Sequence, residues 1–99
     1  MGQFKRLLEE LKLKLNITWD DEDTYSKLNT IIIDSIDILN YKLGSNIDFM
    51  QNGMEHSLFL NYCMYAFNNC EAEFDSNYKS EIMQLRRKYE VLGYENSKV

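Results

Sequence analysis

Apolar residues recur along most of the chain at the spacing of an α-helix. Between residues 4 and 15 they are separated by charged residues, at Phe4, Leu7, Leu8, Leu11 and Leu15. Steps of three and four residues place side chains on one face of a helix. The pattern predicts a first helix over residues 3–15. Leu11, Leu13 and Leu15 also alternate, so an extended end to this segment is the alternative.

A second, longer helix is predicted over residues 21–43. Its apolar positions are Tyr25, Leu28, Ile32, Ile36, Leu39 and Leu43. At about 100° per residue they lie within about 60° of arc, which indicates a core face. Gly44 is placed to end the helix in a left-handed conformation.

Four consecutive acidic residues, at positions 20–23, precede and open this second helix. Asp20 is predicted to cap it, since a carboxylate accepts hydrogen bonds from the free N–H groups and complements the helix dipole. The functional alternatives are contact with a basic partner and a cation site. The spacing lacks the alternating ligands, central glycine and distal glutamate of a calcium loop.

The second helix also carries apolar residues away from its core face. Ile31 and Ile38 lie close together on the helix surface, roughly 120° from that face. They are either scattered surface residues, which are common, or part of a contact between subunits.

A loop is predicted at residues 45–53, where Asn52-Gly53 is a turn signal. The loop is unusually apolar, because it contains Ile47, Phe49 and Met50 beside Asp48. It either folds back onto the core or presents these residues to a partner.

Two further helices complete the prediction. The third spans residues 54–74, and its centre, from Leu58 to Phe67, is apolar nearly all round, as expected of a central buried helix. The fourth begins at residue 75 or 76 and ends near Gly93, followed by a flexible tail at 93–99. Its apolar stripe comprises Tyr78, Ile82, Leu85, Tyr89 and Leu92. The expected fold is a single all-α domain, residues 1–99, built as a small bundle of about four helices.

Composition agrees with a helical domain. The 99 residues include no proline and 4 glycines, which argues against a turn-rich β-fold.

The net charge of −5 argues against binding nucleic acid by neutralising phosphates. Charge is uneven, with +2 over residues 1–17, −9 over 18–75 and +2 over 76–99. This asymmetry suits association of unlike surfaces, or an acidic surface that repels DNA.

The sequence offers no constellation for catalysis. Cys63 and Cys70 are seven residues apart, about 10.5 Å along a helix, too far for a disulfide. His56 is the single histidine and has no metal-ligand pattern around it. Phosphate-binding loops and nucleophile motifs are missing. We therefore expect a protein that is not an enzyme and uses no metal or cofactor.

No signal peptide or membrane segment is recognisable, so a soluble intracellular or particle-bound protein is expected.

The order of elements carries a family resemblance. Leu11-Lys12-Leu13-Lys14-Leu15-Asn16-Ile17 precedes Trp19-Asp20-Asp21-Glu22-Asp23, and a long helix then ends at Leu43-Gly44. A loop with Asp48-Phe49 follows, and then the stretches Leu60-Asn61-Tyr62-Cys63-Met64-Tyr65-Ala66-Phe67-Asn68-Asn69 and Glu73-Phe74-Asp75-Ser76-Asn77-Tyr78-Lys79-Ser80-Glu81-Ile82. Over residues 7–92 the chain resembles the small head–tail connector, or adaptor, proteins of tailed bacteriophages and prophages.

The resemblance implies a structural role in the virion. Such connectors form a ring, usually twelve-fold, beneath the portal protein at the head–tail junction. The ring extends the channel through which DNA passes without sequence-specific binding, and it receives a stopper or tail-completion protein. The chain would reside in the host cytoplasm before assembly.

Two groups of residues become candidate contacts through this resemblance. The C-terminal helix of such proteins docks on the portal, which here nominates Arg86, Arg87, Lys88, Tyr89, Val91 and Leu92. The loop between the long helices helps to form the ring or channel, which nominates Ile47, Asp48, Phe49 and Met50, alongside Ile31 and Ile38 as contacts between subunits. The alternative is a small acidic helical module or regulator that sequesters a basic protein partner through residues 20–23.

Overall fold

The computed structural model describes residues 2–19 and 21–97, with side chains described at 5–19 and 21–93. All regular structure in these residues is helical. The five helices are α1 (Gly2–Lys14), α2 (Glu22–Leu43), α3 (Met54–Phe67), α4 (Glu71–Asn77) and α5 (Lys79–Ser97). The all-α prediction is confirmed, whereas the predicted count of four helices is wrong. The side chains of Phe4 and Asp20, assigned to the core face and the cap, lie outside the described residues.

The extra helix arises because the predicted third helix is interrupted. Helix α3 ends at Phe67, and Asn69 adopts a left-handed conformation with φ of 58°. The N–H of Cys70 then donates to the carbonyl oxygen of Tyr65 at 2.8 Å. This hydrogen bond closes α3, and α4 starts in a new direction. Asparagine is one of the few residues that adopt this conformation readily.

Two other helices end in the same way. Asn16 follows α1 with φ of 59°, and the N–H of Ile17 donates to the carbonyl of Lys12 at 2.9 Å. Gly44 follows α2 with φ of 73°. Its backbone N–H and that of Ser45 both donate to the carbonyl oxygen of Asn40. The prediction that Gly44 ends α2 is thus confirmed.

The N-cap of α2 is Asp21, one residue later than predicted. Its carboxylate accepts a hydrogen bond from the backbone N–H of Thr24 at 2.6 Å. That bond lowers the pKa of Asp21 below its ordinary value, because it stabilises the ionised form. Capping of α2 by this acidic segment is therefore observed, at a shifted position.

Helix α5 is longer than predicted, since it passes through Gly93 and ends at Ser97. Glycine in a helix costs only about 1 kcal/mol relative to alanine, so it does not have to end one. The predicted helix end at Gly93 is wrong. Residues 98 and 99 of the predicted tail lie outside the described residues.

Helix α3 is the central element, as predicted, because it packs against each of the other four helices. Phe59 and Leu58 are buried in its middle. Phe67, at its end, is only half-buried, and the Lys27 ammonium lies 4.6 Å from its ring centroid. The buried side chains of α3 therefore lie between His56 and Cys63, and its last turn is less covered.

The short helix α4 is attached through one aromatic side chain. Phe74 is fully buried and is the buried residue of α4. Its ring meets the edge of Tyr62 at 4.8 Å and stacks on Tyr78 at 4.8 Å, with Tyr65 at 5.6 Å. These four rings connect α3, α4 and the start of α5.

The molecule is elongated. Its principal extents are 49 × 31 × 19 Å and its accessible surface is 6749 Å². A typical monomer of this mass exposes about 5,900 Å². Among the described residues, α1 and α5 make no contact with each other, because α2 and α3 lie between them. Surfaces on α1 and α5 are thus far enough apart to act separately.

Candidate functional site

The residues nominated for the portal contact lie on the second half of α5. Arg86 and Arg87 are exposed, Val91 is 51% exposed and Leu92 is 41% exposed. Exposed aliphatic side chains beside arginines are typical of surfaces that bind another protein. Leu92 was expected in the apolar stripe of this helix, and its exposure shows that the stripe leaves the core near that point.

Lys88 and Tyr89, which were nominated with them, form hydrogen bonds to another residue of the same chain. The Lys88 ammonium and the Tyr89 hydroxyl both donate to one carboxylate oxygen of Glu55, at 2.7 and 2.6 Å. Burial alone would raise the pKa of Glu55, but these two donors outweigh it and lower the pKa. Burial and the Glu55 carboxylate raise the pKa of Tyr89 to about 12. The two side chains therefore fix α5 to the start of α3.

The outermost face of α5 presents a row of three exposed side chains four residues apart, Met83, Arg87 and Val91. We call it the α5 row. Met83 is 55% exposed and Val91 is 51% exposed. Residues four apart lie above one another on a helix, so the row places one guanidinium between two apolar side chains.

The nominated loop folds back onto the core, which settles the alternative left open by the sequence. Phe49 is 3% exposed and stacks on Phe59, with ring centroids 5.0 Å apart. Ile47 and Met50 are partly buried against the same core. In this conformation Phe49 is a core residue and cannot contact another subunit. Asp48 is exposed, and its carboxylate accepts from the N–H of Met50 at 2.9 Å.

A buried histidine network holds this loop in place. One ring nitrogen of His56 lies 2.6 Å from the carbonyl oxygen of Phe49, and the other contacts the carboxylate of Glu10. The carbonyl oxygen of Phe49 can only accept, so the ring nitrogen that faces it donates, while the other ring nitrogen faces the Glu10 carboxyl group. Arg6 adds hydrogen bonds to Glu10 at 2.8 Å and to the loop residue Asn52 at 2.8 Å. The network joins α1, α3 and the loop.

The two isoleucines nominated on α2 have different environments. Ile31 is partly buried and packs against the core. Ile38 is 37% exposed and thus remains available on the surface. They do not form one exposed stripe.

Sequence reasoning missed a groove between α1 and the start of α2. Its volume is about 660 Å³. We call it the α1/α2 groove, and it is lined by Lys5, Leu8, Glu9, Lys12, Trp19, Asp21, Glu22, Thr24, Tyr25 and Leu28. Trp19 and Tyr25 are 53% and 54% exposed, and the indole N–H of Trp19 donates to the Thr24 hydroxyl at 3.1 Å.

The position of Tyr25 corrects the predicted core face of α2. Leu28, Ile32, Leu39 and Leu43 are buried as expected. Tyr25 lies one turn before Leu28, at the mouth of the groove, where no helix covers it. The signal in the sequence was two aromatic residues, Trp19 and Tyr25, flanking an acidic segment.

The rim of the groove is charged. Glu9, Asp21 and Glu22 are exposed carboxylates, and Lys5 and Lys12 lie on the α1 side. Aromatic faces beside carboxylates are favourable surroundings for a cationic side chain. The groove therefore suits a ligand that is both apolar and cationic.

Among the described residues, no group of side chains is suited to hold a metal ion, and none of the helices combines the length and the hydropathy of a membrane span. Cys63 and Cys70 are both free thiols, Cys63 being buried. No protein-family model, curated protein or solved structure matches this chain.

Proposed function

We propose that this protein is a non-catalytic head–tail connector of a tailed bacteriophage or prophage. In this role it binds the portal protein, associates into a ring of about twelve copies, extends the DNA channel and receives a stopper or tail-completion protein. The resemblance over residues 7–92 supports the proposal from the sequence side.

The observation that carries the portal contact is the exposed second half of α5. Arg86 is exposed there, and Leu92 is 41% exposed beside it on the same helix. Binding to a second protein would cover them. Lys88 and Tyr89 contribute by anchoring α5 on Glu55, which keeps the helix rigid for docking.

The test is co-sedimentation with the portal protein encoded in the same genome, followed by native mass measurement. We expect a ring-sized complex with about one copy of this chain per portal subunit. The variant Arg86→Glu/Leu92→Asp should lose portal binding and retain its helical circular dichroism. Failure of the unmodified chain to bind the portal across a range of salt and protein concentrations would contradict the proposal.

A matched control is available on the opposite side of the molecule. Lys14 is exposed and Leu13 is 78% exposed on α1. The variant Lys14→Glu/Leu13→Asp makes the same change of charge and the same leucine-to-aspartate replacement there, and it should bind the portal normally. Equal loss of binding in both variants would indicate a general charge effect rather than docking by α5.

The α1/α2 groove favours the second candidate, a small module that sequesters a basic protein. In that case a basic partner would form a complex of low stoichiometry through the acidic start of α2. Replacing Asp21 with Asn and Glu22 with Gln should abolish that complex, whereas portal binding through α5 should persist. Measuring both complexes with the Asp21→Asn/Glu22→Gln variant and with the Arg86→Glu/Leu92→Asp variant therefore distinguishes the two functions.

A further inference from the structure

The α1/α2 groove and the α5 row have complementary chemistry. The groove offers two half-exposed aromatic rings, Trp19 and Tyr25, next to exposed carboxylates. The row offers a guanidinium, Arg87, between two exposed apolar side chains. Arginine stacks favourably on aromatic faces and pairs with carboxylates, so Arg87 suits the rings and carboxylates of the groove.

We propose that the α5 row of one copy docks in the α1/α2 groove of a second copy. Arg87 then lies against the faces of Trp19 and Tyr25, while Met83 and Val91 cover the apolar walls of the groove. A groove of about 660 Å³ has room for several side chains of one helix face.

The contact has to form between copies. Helices α1 and α5 do not touch within the described chain, so the row cannot reach its own groove without unfolding the bundle. The two surfaces are unlike, which makes the interface heterologous. A pair of copies therefore keeps one free groove and one free row, and assembly continues until a ring closes.

The charges favour the same pairing. Three carboxylates, Glu9, Asp21 and Glu22, outnumber the two ammonium groups of Lys5 and Lys12 in the lining of the groove. The hydrogen bond from Thr24 lowers the pKa of Asp21. Residues 18–75, which include the α2 wall of the groove, carry −9, whereas residues 1–17, which include its α1 wall, and residues 76–99 each carry +2. Attraction between the acidic part of one copy and α5 of the next should weaken as salt is added.

The inference deepens the proposed function, on which it rests for its biological setting. It assigns the α5 row to the neighbouring copy. Arg86 and Leu92, which lie on either side of the row, remain for the portal. The test needs this chain alone, so its outcome is independent of portal binding.

The first measurement is sedimentation velocity of the full chain over a concentration series. We expect self-association that Arg87→Glu weakens about tenfold or more, since one buried guanidinium contact with an aromatic face and a carboxylate is lost. Arg86→Glu, the same change one residue earlier, should leave self-association within about twofold of the unmodified chain. A chain that stays monomeric up to about 1 mM would overturn the proposal.

The second measurement mixes two variants that should each fail to self-associate. Arg87→Glu retains the groove and Trp19, the single tryptophan. Trp19→Glu retains the row and has no tryptophan. Together they should form a 1:1 complex that grows no further, and the tryptophan emission of the Arg87→Glu chain should change on mixing. Tyr25→Glu serves as a second groove variant if circular dichroism shows that Trp19→Glu is unfolded.

Absence of the mixed complex with both folded groove variants would overturn the assigned surfaces. The outcomes for the two proposals are distinguishable. A chain that binds the portal but is monomeric in isolation and does not complement would refute this contact alone. A chain that complements as described but never binds the portal would refute the connector proposal and leave the contact between copies standing.

Discussion

At the scale of single residues, Phe74 is a side chain whose replacement has a predictable effect on the free energy of unfolding. It is fully buried and packs against three tyrosine rings, and it attaches α4 to the core. Phe74→Ala should therefore destabilise the protein by about 3–5 kcal/mol, through lost burial and the cavity left behind. The free energy of unfolding from urea titration, followed by circular dichroism, measures this loss.

Phe67→Ala is the matched control, because it removes the same ring from a half-buried position. The sequence placed Phe67 in the central helix, where the loss would equal that of Phe74. The structure places its ring beside the Lys27 ammonium, at the end of α3, so the loss should be only about 1 kcal/mol. Equal losses for the two phenylalanines would contradict the described core.

Glu10 makes stability depend on acid pH. Burial would raise the pKa of its carboxyl, but hydrogen bonds from Arg6 and His56 outweigh burial and lower the pKa from its ordinary value of 4.5. A group with a lowered pKa in the folded state stabilises the protein above the unfolded pKa. This contribution is lost as the pH falls from about 4.5 through the lower folded pKa.

Glu10→Gln should therefore flatten the decline in unfolding free energy below about pH 4.5, and lower stability near neutral pH. Glu9→Gln changes the exposed neighbour and should leave the decline unchanged. Thermal or urea unfolding at a series of pH values compares the two variants. A pH profile that is identical for Glu10→Gln and the unmodified chain would show that the network contributes nothing.

At the scale of elements, the helix ends depend on left-handed residues. Asn69 has φ of 58° at the turn between α3 and α4. Asn69→Ala should destabilise the protein by about 1 kcal/mol, because a Cβ without a compensating side-chain amide is unfavourable there. Asn69→Gly should be neutral or slightly stabilising, since glycine adopts this conformation freely. Urea unfolding tests the pair, and an equal effect of both substitutions would contradict the role of the backbone conformation.

Most buried positions of the helices could be predicted from the sequence, with exceptions at Tyr25 and Leu92, but several helix ends could not. Buried positions such as Leu28 and Ile32 follow from spacing alone, since burial of an apolar stripe is what makes an amphipathic helix stable in a protein. Asn69 was missed because asparagine occurs in helices, turns and caps alike, and only the packing of Phe74 favours a turn before α4. Gly93 led to the opposite error, because it predicted a helix end where α5 continues. A glycine within a helix lowers stability by only about 1 kcal/mol relative to alanine.

At the scale of the whole molecule, the candidate surfaces could be predicted only in part. The α5 residues were nominated through the family resemblance, whereas helical spacing alone placed Leu92 in the apolar stripe and not on the surface. The α1/α2 groove depends on how far two helices separate at one end, which no local pattern specifies. Phe49 shows the same limit, because its burial requires α3 and the His56 network together.

The elongated shape is itself measurable. The Cα radius of gyration is 14.5 Å, compared with about 13 Å for a typical compact chain of about 100 residues. Small-angle X-ray scattering of the dilute Arg87→Glu variant should give a value at or slightly above 14.5 Å. A value near that of a compact sphere-like domain would contradict the arrangement in which α2 and α3 separate α1 from α5.

The buried thiol of Cys63 has a consequence for kinetics. Burial raises its pKa to about 12, with a hydrogen bond to Ser35 acting in the opposite direction, so the sulfur stays protonated and shielded at neutral pH. Cys70 is only partly buried at the turn after α3. A thiol reagent should therefore modify Cys70 first. Its slower reaction with Cys63 then reports how often α2 and α3 part, which gives the opening frequency of the central helix without any substitution.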